Sequence, residues 1–554
     1  MADIVVYGGS FAGVAAAAKA ASKAPNKTVA LIVPDTSGML GGIGTAGGQN
    51  FFDIRRYNNN TTYAQQGSFS WWRNSLGQFY STVSMSNLMK SDLAKYSSRL
   101  TIYYGYDIKS VAHVTSPYRI TSVTIRKIKR STASTTAHYV VWGTQSLTIS
   151  GSVFIDASED GRLTRLANFG GTVGRYDWPA SRLEAFETGL SGKARQQAAT
   201  LMFKVRGVST QYSADVTYVN DPNTSVIGGY GGKNTYKNNQ TIKDFNLAHG
   251  PDGFAIKPFN IAQDGPNSNE FWINILLLFN VDGRACYRDL GTSNYPTDTI
   301  TGHKNVDQAW SEARSMINTS EFLNAIKCMP SLQNVEIVKE YDPVTHTYLP
   351  VVGEMIYLRE TIHSAGSLTN NNGTENTNYG LTSNECHKAG APSTVPSGGD
   401  SSNYSYRIGL NYYRTDINAY TFEDLKLYND PEHPETSTFE FIWGEQVAKK
   451  LRSDMDTSAY PINSDSPSNP VYVPFNAITT AYVANLLVPG YAACVSSFAW
   501  SEVRVIPNLC VLGDAAGIAA AYAVNNGKNP LSFTQTDISN VQTMLTSVNA
   551  KLNK

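Results

Sequence analysis

A parallel α/β sheet joined to a second, α+β domain is the fold this sequence predicts, on three observations. Residues 3–7, Asp-Ile-Val-Val-Tyr, form a short apolar run that reads as a buried strand and leads into Gly8-Gly9-Ser10-Phe11-Ala12-Gly13. The alanine-rich stretch to about Lys23 and the apolar run 28–33 complete a strand–turn–helix–strand unit, the opening of a parallel sheet. Apolar strands at 152–156 and 486–488 then return to that sheet from far along the chain. At roughly 150 residues per domain, 554 residues predict two to four domains.

The other elements follow in order. Residues 50–100 read as helices and loops, with Trp71-Trp72 amphipathic to one side. The short alternating runs 100–104, 122–125, 139–142 and 146–149 predict an antiparallel meander. Further on come a strong strand at 271–279 and a helix at 306–317. Residues 365–405, crowded with Asn, Ser, Thr, Gly and Pro, predict a long surface loop. Near the C-terminus a strand at 510–512 and a helix at 515–525 are expected. The predicted division is 1–175 and 470–554 for the two parts of the first domain, 176–345 for a cap, and 346–469 for its continuation.

Composition excludes several classes. Hydrophobic residues make up 41%, with 44 Gly and 23 Pro, which fits a globular chain rich in turns. Lys plus Arg and Asp plus Glu are both 45, so no basic footprint for nucleic acid exists. No run of eighteen uncharged apolar residues predicts a membrane span. Charged residues are only 16%, a lean towards an exported protein, and Met1 meets a strand within three residues without a leader. A mature exported form is therefore favoured over a cytosolic one. The five cysteines never form C-x-x-C and read as buried small hydrophobes. No H-x-x-x-H or H-E-x-x-H spacing occurs, so no metal is expected.

The first turn carries the sharpest signal. A dinucleotide site needs a tight turn after the strand, close backbone approach to a pyrophosphate, and a helix starting near the sheet. Gly8 serves the turn and Gly13 the helix packing, while Ser10 replaces the middle glycine. The acid expected about 20 residues on, at the end of the second strand, is missing because Val33 stands there. Asp35 is the substitute, or else a loop aspartate before a turn. Gly41, Gly42 and the glycines that follow allow close approach to a flat ligand, or form a flexible loop. Gly513-Asp514-Ala515 reads as a strand end opening a helix, where Asp514 either meets a ligand or caps the helix.

Seven segments in order resemble the FAD-dependent oxidoreductase family of glutathione-reductase-type flavoproteins, the xanthan-lyase-like members in particular. They are residues 6–13, 40–42, 154–161 with Leu163, 172–175, 358–361 with Gly366, 408–417, and 485–488 through 504–507. The resemblance implies a Rossmann-like FAD-binding domain and a small-molecule substrate. FAD would then be held by Gly8, Ser10 and Gly13 at its pyrophosphate and approached by Gly41 and Gly42 near the flavin. Asp35 would be the candidate for the ribose, Asp156 and Ala157 would close the adenine end, and Gly513, Asp514 and Ala515 would reach the ribityl region. Arg359, Arg504, Tyr413 and Asp416 are the implied catalytic residues. His363 lies in a matched segment but reads equally as a packed histidine.

Departures accompany the match. Family members commonly carry an acid at Val33, a histidine at Asn418 and another at Ser497. Neighbouring classes are excluded: C-x-x-x-x-C of disulfide reductases, Asp-x-x-His-x-x-x-Pro of aromatic hydroxylases and Trp-x-Trp-x-Ile-Pro of halogenases are all missing. The expected function is therefore an FAD-dependent oxidoreductase taking a hydride from a small alcohol, amine or sugar-like substrate to flavin N5. The alternative is a flavoprotein-fold binding protein that has lost turnover.

Overall fold

The computed structural model describes residues 2–53, 56–57, 62–63, 66–167, 171–174, 195–364, 366–369, 375–383, 404–451 and 470–553. Arg175, Cys386 and most of the predicted loop 365–405 lie outside them; within that loop, Gly366–Thr369 and Glu375–Tyr379 pair antiparallel. The first layer is a five-stranded sheet of β1 (Ile4–Tyr7), β2 (Val29–Val33), β3 (Leu100–Tyr104), β4 (Val153–Asp156) and β5 (Leu486–Leu487), in the order β5-β4-β1-β2-β3. Every pairing is parallel, with Ile4 opposite both Val29 and Val153. Strands β1, β2, β4 and β5 are buried throughout, which is why they read as apolar runs without alternation. One sheet thus draws strands from both ends of the chain, as expected of a Rossmann-like domain. Residues 100–104 belong to it rather than to the predicted meander, which consists of Tyr106–Thr115, Tyr118–Arg130 and Val140–Ser150.

Two helices pack face to face beside the sheet: α1 (Phe11–Lys23) and α2 (Ile506–Asn526). A Cβ on Gly513 would stand 2.3 Å from the Ala12 carbonyl oxygen, and one on Gly517 2.3 Å from that of Ala16. Small residues on both helices let the backbones touch. This corrects the expected strand at 510–512 and the helix start at Ala515: residues 506–526 are one continuous helix. By length and composition α2 could cross a membrane, but 94% of its apolar window is buried inside the protein, which identifies a core helix.

The second layer is a seven-stranded antiparallel sheet built from residues between 199 and 337. Its core strands are Phe254–Gln263 and Glu270–Leu278, and the helix Val306–Ile317 is part of the same apolar core. The ladder between the two strands shifts register between Ile256 and Asn260. Pro258 sits at that shift, where its missing N–H cannot serve a regular ladder. Irregularities of this kind re-aim a side chain, and here the side chain concerned is Lys257.

Candidate active site

Gly8 ends β1 at φ +109°, a conformation that favours glycine, and a Cβ there would meet the Ser158 nitrogen at 2.6 Å and the Ala157 carbonyl at 2.7 Å. The chain can turn only because that atom is missing. A Cβ on Gly13 would approach the Gly8 oxygen to 1.9 Å, so α1 starts directly under the turn. Ser10 is the N-cap of α1: its Oγ accepts from the Gly13 N–H at 3.2 Å and donates to the Ala157 oxygen at 2.7 Å. The serine that replaces the expected glycine therefore ties the turn to the end of β4.

A cleft opens at the carboxyl ends of β1, β2 and β4, the position where parallel α/β sheets bind ligands. Gly8, Ser10, Asp35 and Gly42 line it directly. Gly13, Gly41, Asp156 and Ala157 lie one layer behind. Gly41, at φ +110°, turns the chain towards Gly42. Asp156 is occupied with its own turn, accepting from the Ser158 and Thr164 backbone N–H groups and hydroxyls at 2.6–3.1 Å. Asp35 is buried and accepts from Ser37; burial, with Glu354 nearby, pushes its carboxyl up to about 6.

Gly513, Asp514 and Ala515 line neither this cleft nor the chamber described below. Asp514 accepts from the Ser68 N–H at 2.8 Å and hydroxyl at 2.5 Å, and pairs with Lys19 at 3.6 Å. It therefore serves the first turn of the helix Gly67–Leu76, and its expected place beside a ribityl chain is corrected. The helix N-terminus near the site belongs to α2 at Ile506, eight or nine residues earlier than the Gly-Asp dipeptide suggests.

The cleft holds an acid that the sequence reading passed over. Glu159, two residues beyond Ala157, accepts from the Ile43 N–H at 2.8 Å, and burial pushes its carboxyl up to about 8. Asp35 and Asp160 add to that rise. The signal was its position inside the matched segment 154–161.

A second, larger chamber adjoins the first. Residues 356–359 form the wall between them by simple alternation: Ile356 and Leu358 face the cleft, Tyr357 and Arg359 the chamber. All four predicted catalytic residues, Arg359, Tyr413, Asp416 and Arg504, line this chamber, with Val505 and Ile506 at the start of α2. Asn418 lines it too. Ser497 sits in the core, its hydroxyl in contact with that of Tyr420. His363 is fully buried, 3.0 Å from Glu360, and lines neither cavity.

The chamber's polar groups form one network. Tyr413 Oη lies 2.8 Å from Asp53 Oδ2 and 2.9 Å from Asp416 Oδ2, and Arg504 Nη2 donates to the Asp416 carbonyl at 2.7 Å. Burial acts to raise Asp416, but Arg504, Arg414 and the Tyr413 hydroxyl outweigh it and hold the carboxyl at about 2. Lys257 Nζ donates to the carbonyls of Pro258 and Asn274 at 3.1 and 3.2 Å. Burial, reinforced by Arg359 and Arg504, brings its ammonium down to about 7. No motif announced Lys257; a lone lysine in the apolar run Ala255-Ile256-Lys257-Pro258-Phe259 was the signal available.

A cleft at the ends of parallel strands, built around a glycine turn and beside a chamber of titratable groups, is an arrangement that suits a dinucleotide-dependent enzyme. The family model described as FAD dependent oxidoreductase matches residues 3–374 and 451–545, and the chain belongs to that family. FAD is its cofactor, and the residues present fit it. The Gly8 turn offers backbone where a Cβ would collide, and burial moves Glu159 and Asp35 towards neutrality beside the place of the phosphates.

Among solved structures, the chain is similar to the myxobacterial chondrochloren halogenase CndH, at 11% identity and TM-score 0.27, covering 60% of this chain and 59% of that one. It is similar to p-nitrophenol 4-monooxygenase PnpA from Pseudomonas putida, at 8% identity and TM-score 0.28, over 64% and 68%. It is also similar to glycerol-3-phosphate dehydrogenase from Bacillus halodurans, complexed with FAD, at 11% identity and TM-score 0.28, over 68% and 60%. The chain thus spans about three fifths of the length of the halogenase and of the dehydrogenase. No curated protein matches it.

Proposed function

We propose that the protein oxidises a small polar substrate, an alcohol, amine or sugar-like molecule, by removal of a hydride and a proton in the chamber. The observation that carries this reading is the convergence of Arg359, Tyr413, Asp416 and Arg504, from three separated segments, on one chamber whose wall is shared with the FAD cleft. FAD, when bound, supplies at N5 the acceptor for the hydride. Lys257 takes the proton: its amine, brought down to about 7, is about half neutral at pH 7, close to the ideal for a general base. Asp416, held at about 2, is too weak a base for that task and instead fixes Tyr413 and Arg504 in place. The Tyr413 hydroxyl orients the substrate's polar group.

The test begins with the visible spectrum before and after acid precipitation, followed by an anaerobic screen of alcohols, amines and sugars for bleaching of the flavin. A substrate should bleach the wild type, and Lys257→Met should slow bleaching by about 10²-fold or more, with loss of the rise in rate around pH 7. A protein that holds FAD but is bleached by no member of the panel would sink the reading. The binding-protein alternative would then stand, with Asn418, which cannot exchange a proton as a histidine would, in the chamber wall.

A further inference from the structure

Arg359 is 4% exposed, yet no carboxylate stands within ion-pairing distance of it among the described residues. Its Nη1 donates to Thr200 Oγ1 at 2.9 Å and to the Tyr357 carbonyl at 3.2 Å, and the guanidinium lies over the Tyr357 ring at 3.8 Å. Its carbonyl receives the Trp500 Nε1–H at 2.8 Å, so the backbone is pinned as well. Nε and Nη2 have no hydrogen-bond partner among the described residues, and the side chain lines the chamber. A buried guanidinium without a counter-ion costs several kcal/mol, and native proteins keep such groups paired.

Three of the other four cations of the chamber differ. Arg504 has Asp416 at 3.5 Å, and Lys233 has Glu445 at 3.3 Å. Lys257 is satisfied by two carbonyls. Five basic side chains and three acidic ones line the space, so the imbalance is positive; Arg359 and Arg414 are the members without an ion pair among the described residues, and of the two only Arg359 stands on the wall shared with the cleft.

We infer that the chamber's substrate carries a carboxylate, which docks on the free Nε and Nη2 edge of Arg359. A planar fork presented to one anion matches a carboxylate in bidentate geometry. The inference deepens the oxidoreductase reading by naming the substrate class, and rests on that reading for the word substrate. Burial has already lowered the Arg359 guanidinium to about 10, a strain that a bound anion relieves.

The experiment titrates the FAD-loaded protein with benzoate, benzamide and phenyl phosphate, reading the perturbation of the visible flavin spectrum. Benzoate should bind at least tenfold more tightly than either of the others. Arg359→Met should abolish the preference while flavin content, read from the absorbance ratio, is retained; Arg359→Lys should keep part of it. Equal affinity for benzoate and benzamide, a preference for phenyl phosphate, or a benzoate preference that survives Arg359→Met would each overturn the inference. If Arg359→Met loses its flavin, the wild-type ranking and Arg359→Lys decide alone. A neutral alcohol that bleaches the flavin without any carboxylate preference defeats this inference and leaves the oxidoreductase reading intact. A carboxylate preference with no bleaching substrate does the reverse.

Discussion

The two cavities share a wall yet are built on opposite principles. The cleft at the strand ends is built around backbone turns at Gly8, Ser10 and Gly42, its acids Glu159 and Asp35 are pushed by burial towards their neutral forms, and Arg130 and Arg288 also line it. The chamber is made of side chains, with Arg359, Arg414 and Arg504 charged and Lys257 brought down towards its neutral amine. In the cleft two acids are moved towards neutrality beside a nucleotide rich in charge, whereas in the chamber the reacting molecule meets fixed cations and one poised base. The difference shows where each function is stored: in chain conformation for the first cavity, in titration for the second.

The largest effect expected from this contrast is confined to the cleft. Gly8→Ala places a Cβ within 2.6–2.7 Å of Ser158 and Ala157 at a φ of +109°. The strain, roughly 1–3 kcal/mol, falls on the turn itself. Purified variant should carry less than a tenth of the wild-type flavin, measured by absorbance ratio, while circular dichroism keeps the same helix and strand content. Normal flavin content in Gly8→Ala would show that the turn does not hold the cofactor.

Much of the cleft was legible because conformation leaves marks in sequence. A turn that must pass Ser158 and Ala157 needs glycine at position 8, and a helix that starts directly under that turn needs Gly13. The helix at 306–317 was legible from its apolar spacing for the same reason. Residues 510–512, Cys-Val-Leu, were misread as a strand because α2 is apolar on every side, and such a helix shows no 3.6-residue period. Asp514 was misplaced with it, although its partners Ser68 and Lys19 lie hundreds of residues away in the chain. The chamber left weaker marks still. Arg359, Tyr413, Asp416 and Arg504 entered through family likeness, and Lys257 is made unusual only by a register shift and by neighbours from other segments.

A smaller effect sharpens the cleft's side of the contrast. Glu159 is protonated in the folded protein up to about pH 8 and faces Asp35, Asp160 and the Ile43 N–H. Its ionisation places a negative charge beside the pyrophosphate turn. Apparent FAD affinity, measured by fluorescence, should therefore fall about tenfold per pH unit above 8 in the wild type. Glu159→Gln should hold FAD independently of pH across that range. The raised carboxyl also means that the apo protein loses stability as pH rises from 4.5 to 8, where the unfolded chain has already released the proton. An unchanged alkaline loss of FAD in Glu159→Gln would assign the effect to another group.

The smallest effect is the mirror image, in the chamber. Lys257 is brought down from 10.5 to about 7, so between those values the unfolded chain binds a proton that the folded one does not. Stability then rises with pH across that window, opposite in sign to the Glu159 effect, and the full cost of a buried ammonium is present below pH 7. Lys257→Met removes the titrating group among Arg359, Arg504, Asp416 and Asp53. It also leaves the carbonyls of Pro258 and Asn274 short of one donor, at about 1 kcal/mol. The variant should still be more stable than the wild type at pH 6, by roughly 2 kcal/mol in denaturant melts, with the gap closing towards pH 10. A gap that stays constant with pH would mean that Lys257 keeps its ordinary basicity. The chamber's five basic side chains would then all be charged, and its contrast with the cleft would rest on charge alone rather than on titration.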